Sequence, residues 1–199
     1  MSFSGLSTAN DILEGVRLDG KHAFITGATG GLGLETAKSF ASVGASVTIA
    51  GRSPDKVDAA LALLNEEMPS ALFDAKIVDL ASLSSIQSAT IEIVAEGRPI
   101  DLLVNNAGVM MSPEGKTEDG FETEFGTNHL GHFALTAGLM SLIVRGGRVI
   151  TLSSGAHLRG SVNLDDLNWT NRDYDPSLAY AQSKTANAWF TLELQRRYS

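Results

Sequence analysis

The sequence predicts an α/β fold, a doubly wound parallel sheet with helices covering both of its faces. Three observations carry that prediction. Five short apolar runs alternate with helical patterns, and right-handed crossovers between parallel strands place such helices over the sheet. The fourth run, 100–105, holds an unbroken Leu102-Leu103-Val104, as a strand buried on both faces requires. The first run leads straight into a Gly-rich turn that opens a helix, Thr26-Gly27-Ala28-Thr29-Gly30-Gly31-Leu32-Gly33.

The elements follow in order. Residues 1–20 read as a lead-in, with Thr8 or Asn10 capping a short helix through Val16 and Asp19-Gly20 turning the chain. Residues 22–25 form the first strand, and a helical pattern runs from Leu32 to Val43. Ser46 to Ala50 is the second strand, closed by Gly51-Arg52-Ser53-Pro54; Ser53 before Pro54 is a helix start, continued at helical spacing by Val57, Leu61 and Leu64. Phe73 to Val78 is the third strand, with Asp79-Leu80 at its end, and Ser82 or Ser84 begins a helix carrying Ile86, Ile93 and Val94. After the fourth strand a long helix is predicted from about Thr117 to Val144, then a fifth strand over 147–152. Residues 161–176 are polar and irregular, and Ser177 or Leu178 opens a last helix that runs to the terminus. No repeat or low-complexity segment divides the chain. With 199 residues and 43% hydrophobic composition it can bury one sizeable core, so residues 1–199 are expected to form a single domain.

Composition narrows the function. A formal net charge of −8 argues against general attraction to nucleic acid or an anionic membrane, so any phosphate binding has to be local. The absence of cysteine excludes disulfides, thiolate metal sites and a Cys nucleophile, and is compatible with a reducing interior. Residues 1–10 lack the basic and apolar segments of a signal peptide, and no apolar run approaches the roughly 18–20 residues of a membrane span. A soluble, cytoplasmic protein is the expectation.

Ligands of such sheets bind beyond the carboxyl ends of the strands, so the residues that follow each strand should gather on one edge. These are Gly27 to Gly33, Arg52, Asp79, Asn105-Asn106-Ala107-Gly108 and Ser153-Ser154. At the first of them, a strand, a tight turn and a helix start aim unpaired N–H groups and the positive end of the helix dipole at one small volume, which suits a phosphate. Glycine is needed where the backbone turns sharply and a ligand approaches closely. Tyr180 and Lys184 stand four residues apart, on one face of the last helix. An ammonium beside a phenol favours the phenolate and fits it for proton exchange with an alcohol or carbonyl oxygen, although an ordinary amphipathic helix would show the same spacing.

Taken together, Thr26-Gly27-x-x-x-Gly31-x-Gly33, Asp79-Leu80, Asn105-Asn106-Ala107-Gly108, Asn128, Ser154 and Tyr180-x-x-x-Lys184 resemble the short-chain dehydrogenase/reductase family, in its order. The wording around Asn128 (Thr127 to Phe133) and around Tyr180 (Ala179 to Asn187) is most similar to the retinol-dehydrogenase-like branch. The resemblance implies a Rossmann fold and an oxidoreductase that interconverts an alcohol and a ketone or aldehyde. It makes Tyr180 the acid/base and gives Lys184 the task of favouring the phenolate and holding the nicotinamide ribose. Ser154 would orient the substrate oxygen, and Asn128, at a local irregularity of the long helix, would hold a relay water. The cofactor would meet Gly27, Thr29, Gly31, Leu32, Gly33, Arg52, Asp79, Leu80, Asn106, Ala107, Gly108, Tyr180 and Lys184. Arg52 ends the second strand where sites that choose NAD usually carry a carboxylate, so NADP(H) is favoured over NAD(H). The family often adds a second basic residue within the Gly-rich turn, and Ala28-Thr29-Gly30 supplies none.

Other residues have plainer readings. His129 and His132 are expected to pack or cap rather than bind metal, Met110-Met111 to touch substrate or fill core, Glu66-Glu67 and Glu122 with Glu124 to form solvated faces, and Ser153 to be a strand-end serine satisfied by backbone. Family members continue beyond the helix of the catalytic pair with a sixth strand, a substrate lid and a seventh strand. The chain is therefore read as truncated after the fifth strand and following helix, without the family's substrate-binding part. A non-catalytic dinucleotide-binding relative acting through protein contacts is the alternative. The apolar residues of the last two long helices, among them Phe133, Leu135, Leu139, Trp189, Phe190 and Leu194, point through the resemblance to a homodimer.

Overall fold

The structure, a computed structural model, describes residues 4–198. Five parallel strands, β1 (His22–Thr26), β2 (Ser46–Gly51), β3 (Phe73–Ile77), β4 (Ile100–Asn105) and β5 (Ile143–Thr151), lie in the order β3-β2-β1-β4-β5. The chain therefore grows outward from β1 on one side, then crosses back to build the other. That reversal falls between β1 and β4, and a crevice opens there at the strands' carboxyl ends. Phe24 is opposite Thr48 on one side and Leu103 on the other, and every residue of β1 is buried.

Alternation along the strands sorts the core into two layers. Ala23, Ile25, Val47 and Ile49 face α2 (Gly31–Ser42) and α3 (Pro54–Glu67), where Ala37 and Ala41 let α2 approach the sheet closely. Phe24, Ile100 and Leu103 face the opposite way, against Ile86 and Ile93 of α4 (Leu83–Glu96) and the fully buried Leu135 and Leu139 of α6 (Gly131–Leu139). The last helix, α7 (Pro176–Tyr198), packs against β5 and against the tight turn over 155–159 that follows it.

Predicted bounds move at two helices and at the strand that follows the second. The lead-in helix α1 is shorter than predicted, Ala9–Leu13, closed by a capping box in which Thr8 and Asp11 satisfy one another's backbone. The long helix predicted over 117–144 begins only at α5 (Thr123–Phe125), passes through a π-turn over Gly126–Leu130 and continues as α6. Residues before it are tied into a turn by the Thr117 N–H to the Phe121 carbonyl at 2.8 Å, and Glu122 caps the helix by accepting from the N–H groups of Glu124 and Phe125. At the far end Ile143 pairs with Ile100, so residues assigned to the helix join β5 instead.

Candidate active site

The Gly-rich turn has the backbone its sequence calls for. Gly27 and Gly31 take φ of +66° and +54°, values L side chains rarely adopt. A Cβ on Gly27 would lie 2.8 Å from the Ala107 Cα, and one on Gly33 only 2.4 Å from the Gly27 carbonyl oxygen. These two glycines let β1, α2 and the segment after β4 close on one another. Gly30 and Gly31 differ, since a Cβ there would meet nothing. Gly30 gives α2 no side-chain cap, so its first N–H groups are left for a ligand.

A cavity of about 400 Å³ opens over this turn. Gly27, Thr29, Leu32, Gly33, Arg52, Asp79, Leu80, Asn106, Ala107 and Gly108 line it, so most of the anticipated cofactor residues share one wall. Gly31, Tyr180 and Lys184 are outside that lining. Several members of the wall also brace it. The Asn106 Nδ2 donates to the Thr26 and Gly27 carbonyls, and the Asp79 Oδ1 accepts the Ala81 N–H at 2.9 Å. Lys56, in the first turn of α3, stands on the same wall as Arg52. Inspection of the Gly-rich turn alone misses this second cation, but Ser53-Pro54 as a helix start already places a lysine at that helix's first turn.

Thr26, the first residue of the Gly-rich motif, has a bonding role that the motif did not assign. Its Oγ1 accepts the N–H groups of Asn106 and Ala107, each at 3.0 Å, and lies 2.8 Å from the His132 Nε2. His132 is completely buried and its Nδ1 donates to the Asn128 carbonyl, so the neutral ring accepts from Thr26. Burial holds the imidazole down to a pKa of about 4. His132 thus ties α6 to the end of β1, a packing role of the kind expected for it.

Beyond the cavity the other residues gather around Lys184. Asn128 lies within the π-turn, its Oδ1 accepting the Val109 N–H at 2.8 Å and its Nδ2 donating to the Val109 carbonyl and the Ser183 hydroxyl. A Cβ on Gly108 would lie 3.1 Å from the Asn128 Oδ1 and 3.6 Å from the Lys184 Nζ, so the three converge. The Lys184 ammonium donates to the Leu152 carbonyl at 3.0 Å and stands 5.6 Å from the centre of the Tyr180 ring. It is only 4% exposed, and burial pushes its pKa down. Tyr180 is half-buried.

The two strand-end serines separate. The Ser153 hydroxyl donates to the Lys184 carbonyl at 2.9 Å, the backbone partner anticipated for it. Ser154 opens the turn over 155–159 and accepts the Ala156 N–H. That turn is held on α7 by the Thr185 hydroxyl and by Gly160, where a Cβ would strike Ala181 at 2.5 Å.

Glu122 and Glu124 are a correction. Both are buried rather than solvated, because the segment after β4 and the one before α7 fold over them: Tyr174 donates to Glu122, and the Ser112 N–H to Glu124 at 2.6 Å. Met110 and Met111 are exposed, not core. Among the described residues, no group of three His, Asp or Glu could hold a metal ion, and no helix is long and apolar enough to cross a membrane.

The family model described as short chain dehydrogenase matches residues 21–166. The chain belongs to that family. Human retinol dehydrogenase 13 is 44% identical over 182 residues, which cover 90% of this chain and 55% of the relative. Mouse polyprenol dehydrogenase is 43% identical over 183 residues, 89% of this chain and 54% of the relative. The chain thus spans about half the length of the curated relatives it matches. A solved structure of an uncharacterized protein from Mycobacterium Paratuberculosis superposes with a TM-score of 0.82 at 44% identity, covering 91% of this chain and 63% of that one. A blue fluorescent protein from a metagenomic library, solved in complex with NADPH, has a TM-score of 0.72 at 26% identity, covering 92% of this chain and 70% of that one.

Proposed function

We propose that this short-chain dehydrogenase chain carries the NADP(H)-binding and proton-transfer parts of an enzyme that interconverts an alcohol and a carbonyl compound. The observation that carries the reading is the convergence of Lys184, Asn128 and Gly108 beside Tyr180, next to a cavity walled by the Gly-rich turn. The cavity suits a dinucleotide phosphate: the start of α2 is uncapped and open space lies over Gly30 and Gly31. Arg52 and Lys56 on one wall, with no carboxylate ending β2, favour a 2′-phosphate and hence NADP(H). The NADPH in the metagenomic protein supports that choice.

The bound nicotinamide would supply or accept hydride. This chain's residues supply the proton and the orientation. Hydride arrival at a carbonyl carbon leaves negative charge on oxygen, and a donor within about 2.6–3.2 Å must meet it. Tyr180 gives its phenolic proton to that oxygen, or takes it back in the alcohol-oxidising direction. The Lys184 ammonium favours the phenolate that results, Ser154 holds the substrate oxygen, and Asn128 keeps the segment at Val109 and the helix at Ser183 in fixed relation to Lys184. The names of the retinol and polyprenol dehydrogenases support an apolar alcohol or its aldehyde as substrate.

The test is Tyr180→Phe, which removes only the hydroxyl. NADPH oxidation with retinal, followed by absorbance, should fall at least about a hundredfold while NADPH affinity stays nearly unchanged, as when an interaction made only in the transition state is lost. Near-normal turnover by Tyr180→Phe would overturn the assignment. NADPH binding without any turnover in the whole protein that carries this chain would favour a non-catalytic dinucleotide-binding relative.

A further inference from the structure

Glu124 is a buried charged side chain that the reaction above leaves unused. It is fully buried; its Oε1 accepts the Ser112 N–H, and its Oε2 lies inside the protein with no hydrogen-bond partner. An unsatisfied carboxylate oxygen in such a place costs free energy unless a charge compensates it. Lys184 is the complementary case. Its ammonium is buried, its hydrogen bond goes to a neutral carbonyl, and no ion pair holds it among the described residues. The elements bearing the two are fastened together, since α5 packs on α7 and Asn128, four residues beyond Glu124, donates to Ser183 beside Lys184.

We propose that Glu124 is a positioning residue for the Tyr180–Lys184 pair, its free Oε2 supplying the buried counter-charge to the Lys184 ammonium. The proposal rests on the reading of Tyr180 and Lys184 given above. Opposing influences meet at each group. Burial pushes the Lys184 pKa down and the Glu124 charge pushes it back up. Burial also pushes the Glu124 carboxyl up, the neighbouring Glu122 adds to that, and the Ser112 N–H and Lys184 oppose it. Glu122 is itself engaged by the N–H groups of Glu124 and Phe125 and by the Tyr174 hydroxyl. Tyr174, pushed well above the usual phenol range by burial and by Glu122, Glu124 and Glu114, is a neutral donor there. His132, on the α6 side of Lys184, is uncharged at neutral pH. Glu124 is therefore the carboxylate at the start of α5 that keeps an unpartnered oxygen for a buried counter-charge.

Coupled charges report on each other reciprocally, which makes the pair measurable without turnover. In the whole chain labelled with ¹³C-lysine and ¹³C-glutamate, the Lys184 Cε and Glu124 Cδ resonances are followed against pH. Glu124→Gln keeps an acceptor for Ser112 and removes the charge, and should lower the pH at which Lys184 titrates by about one unit, a tenfold change in its ionisation equilibrium. Glu124→Asp retains the charge and should restore most of that shift. Lys184→Met should raise the pH at which Glu124 titrates, and reads the same coupling should Glu124→Gln fold poorly. An unmoved Lys184 titration in folded Glu124→Gln, or an unmoved Glu124 titration in Lys184→Met, overturns the proposal. NADPH titration of the unchanged chain decides the functional reading separately. Failure to bind overturns that reading, whereas bound NADPH with unmoved titrations overturns the positioning role alone.

Discussion

Arg52 and Lys56 are both exposed, and neither makes a hydrogen bond or ion pair among the described residues, so their charges remain available to the cavity they line. A charged hydrogen bond to a 2′-phosphate is worth about 1.5–3 kcal/mol, so Arg52→Ala should weaken NADPH binding roughly tenfold to a hundredfold and leave NADH unchanged. Lys56→Ala should act in the same direction and less strongly, because an ammonium meets phosphate as a point charge and not through a planar fork. Calorimetric titration with both dinucleotides checks this, and equal affinity of the unchanged chain for NADPH and NADH would contradict it. The sequence placed Arg52 at the cavity because that position depends only on following a strand. It concealed Glu124, whose burial depends on Ser112 and on a loop more than forty residues away folding over it. No local pattern separates a charge that will be roofed over from one that will face water.

Among the elements, the segment from Glu122 to Ile143 departs furthest from its sequence pattern. Apolar spacing continued a helix to Val144, yet the chain leaves helical geometry after Leu142 and Ile143 already pairs with Ile100, with Gly146 at φ +81° inside the irregular stretch of pairing that follows. Strand pairing with β4 overrides helical periodicity there, a long-range outcome that spacing does not report. The π-turn holding Asn128 was visible only through resemblance, because no residue type marks it. The buried imidazole of this segment makes a prediction about pH. An unfolded histidine near 6.5 is held to about 4 at His132, so the folded chain binds that proton more weakly, and the stability present above 6.5 is lost as pH falls toward 4. The full loss from this group is on the order of 3 kcal/mol, and His22 and His129, lowered by burial as well, add to it. Melting followed by circular dichroism should show Tm falling steadily between these pH values. A Tm independent of pH across that interval would contradict the assignment of a neutral His132.

On the scale of the whole molecule, the parallel sheet with helices on both faces was legible, because alternation of strands and helices implies parallel crossovers, whereas the strand order β3-β2-β1-β4-β5 emerges only in the structure. The outer surface is less settled by pattern. Leu135 and Leu139 are consumed by the core, but Phe133, Trp189 and Leu192 are 52%, 51% and 70% exposed, and the rings of His129, Phe133 and Phe190 form a cluster beside them. We propose that two copies pair through this face of α6 and α7. Light scattering at micromolar concentration should return a dimer mass, and Trp189→Glu should convert it to monomer. A monomer mass for the unchanged chain would contradict the pairing.

The fit of Gly33 against the Gly27 carbonyl has a consequence for how such a molecule can diversify. A single added methyl group there collides with main chain, so the Gly-rich turn admits no side chain at Gly33 without moving β1, α2 and the Asn106 segment together. Arg52 and Lys56 bear no such load, because nothing packs on their charged ends. On the reading proposed above, substitution at Arg52 and Lys56 changes which dinucleotide is preferred while the socket beneath stays unchanged.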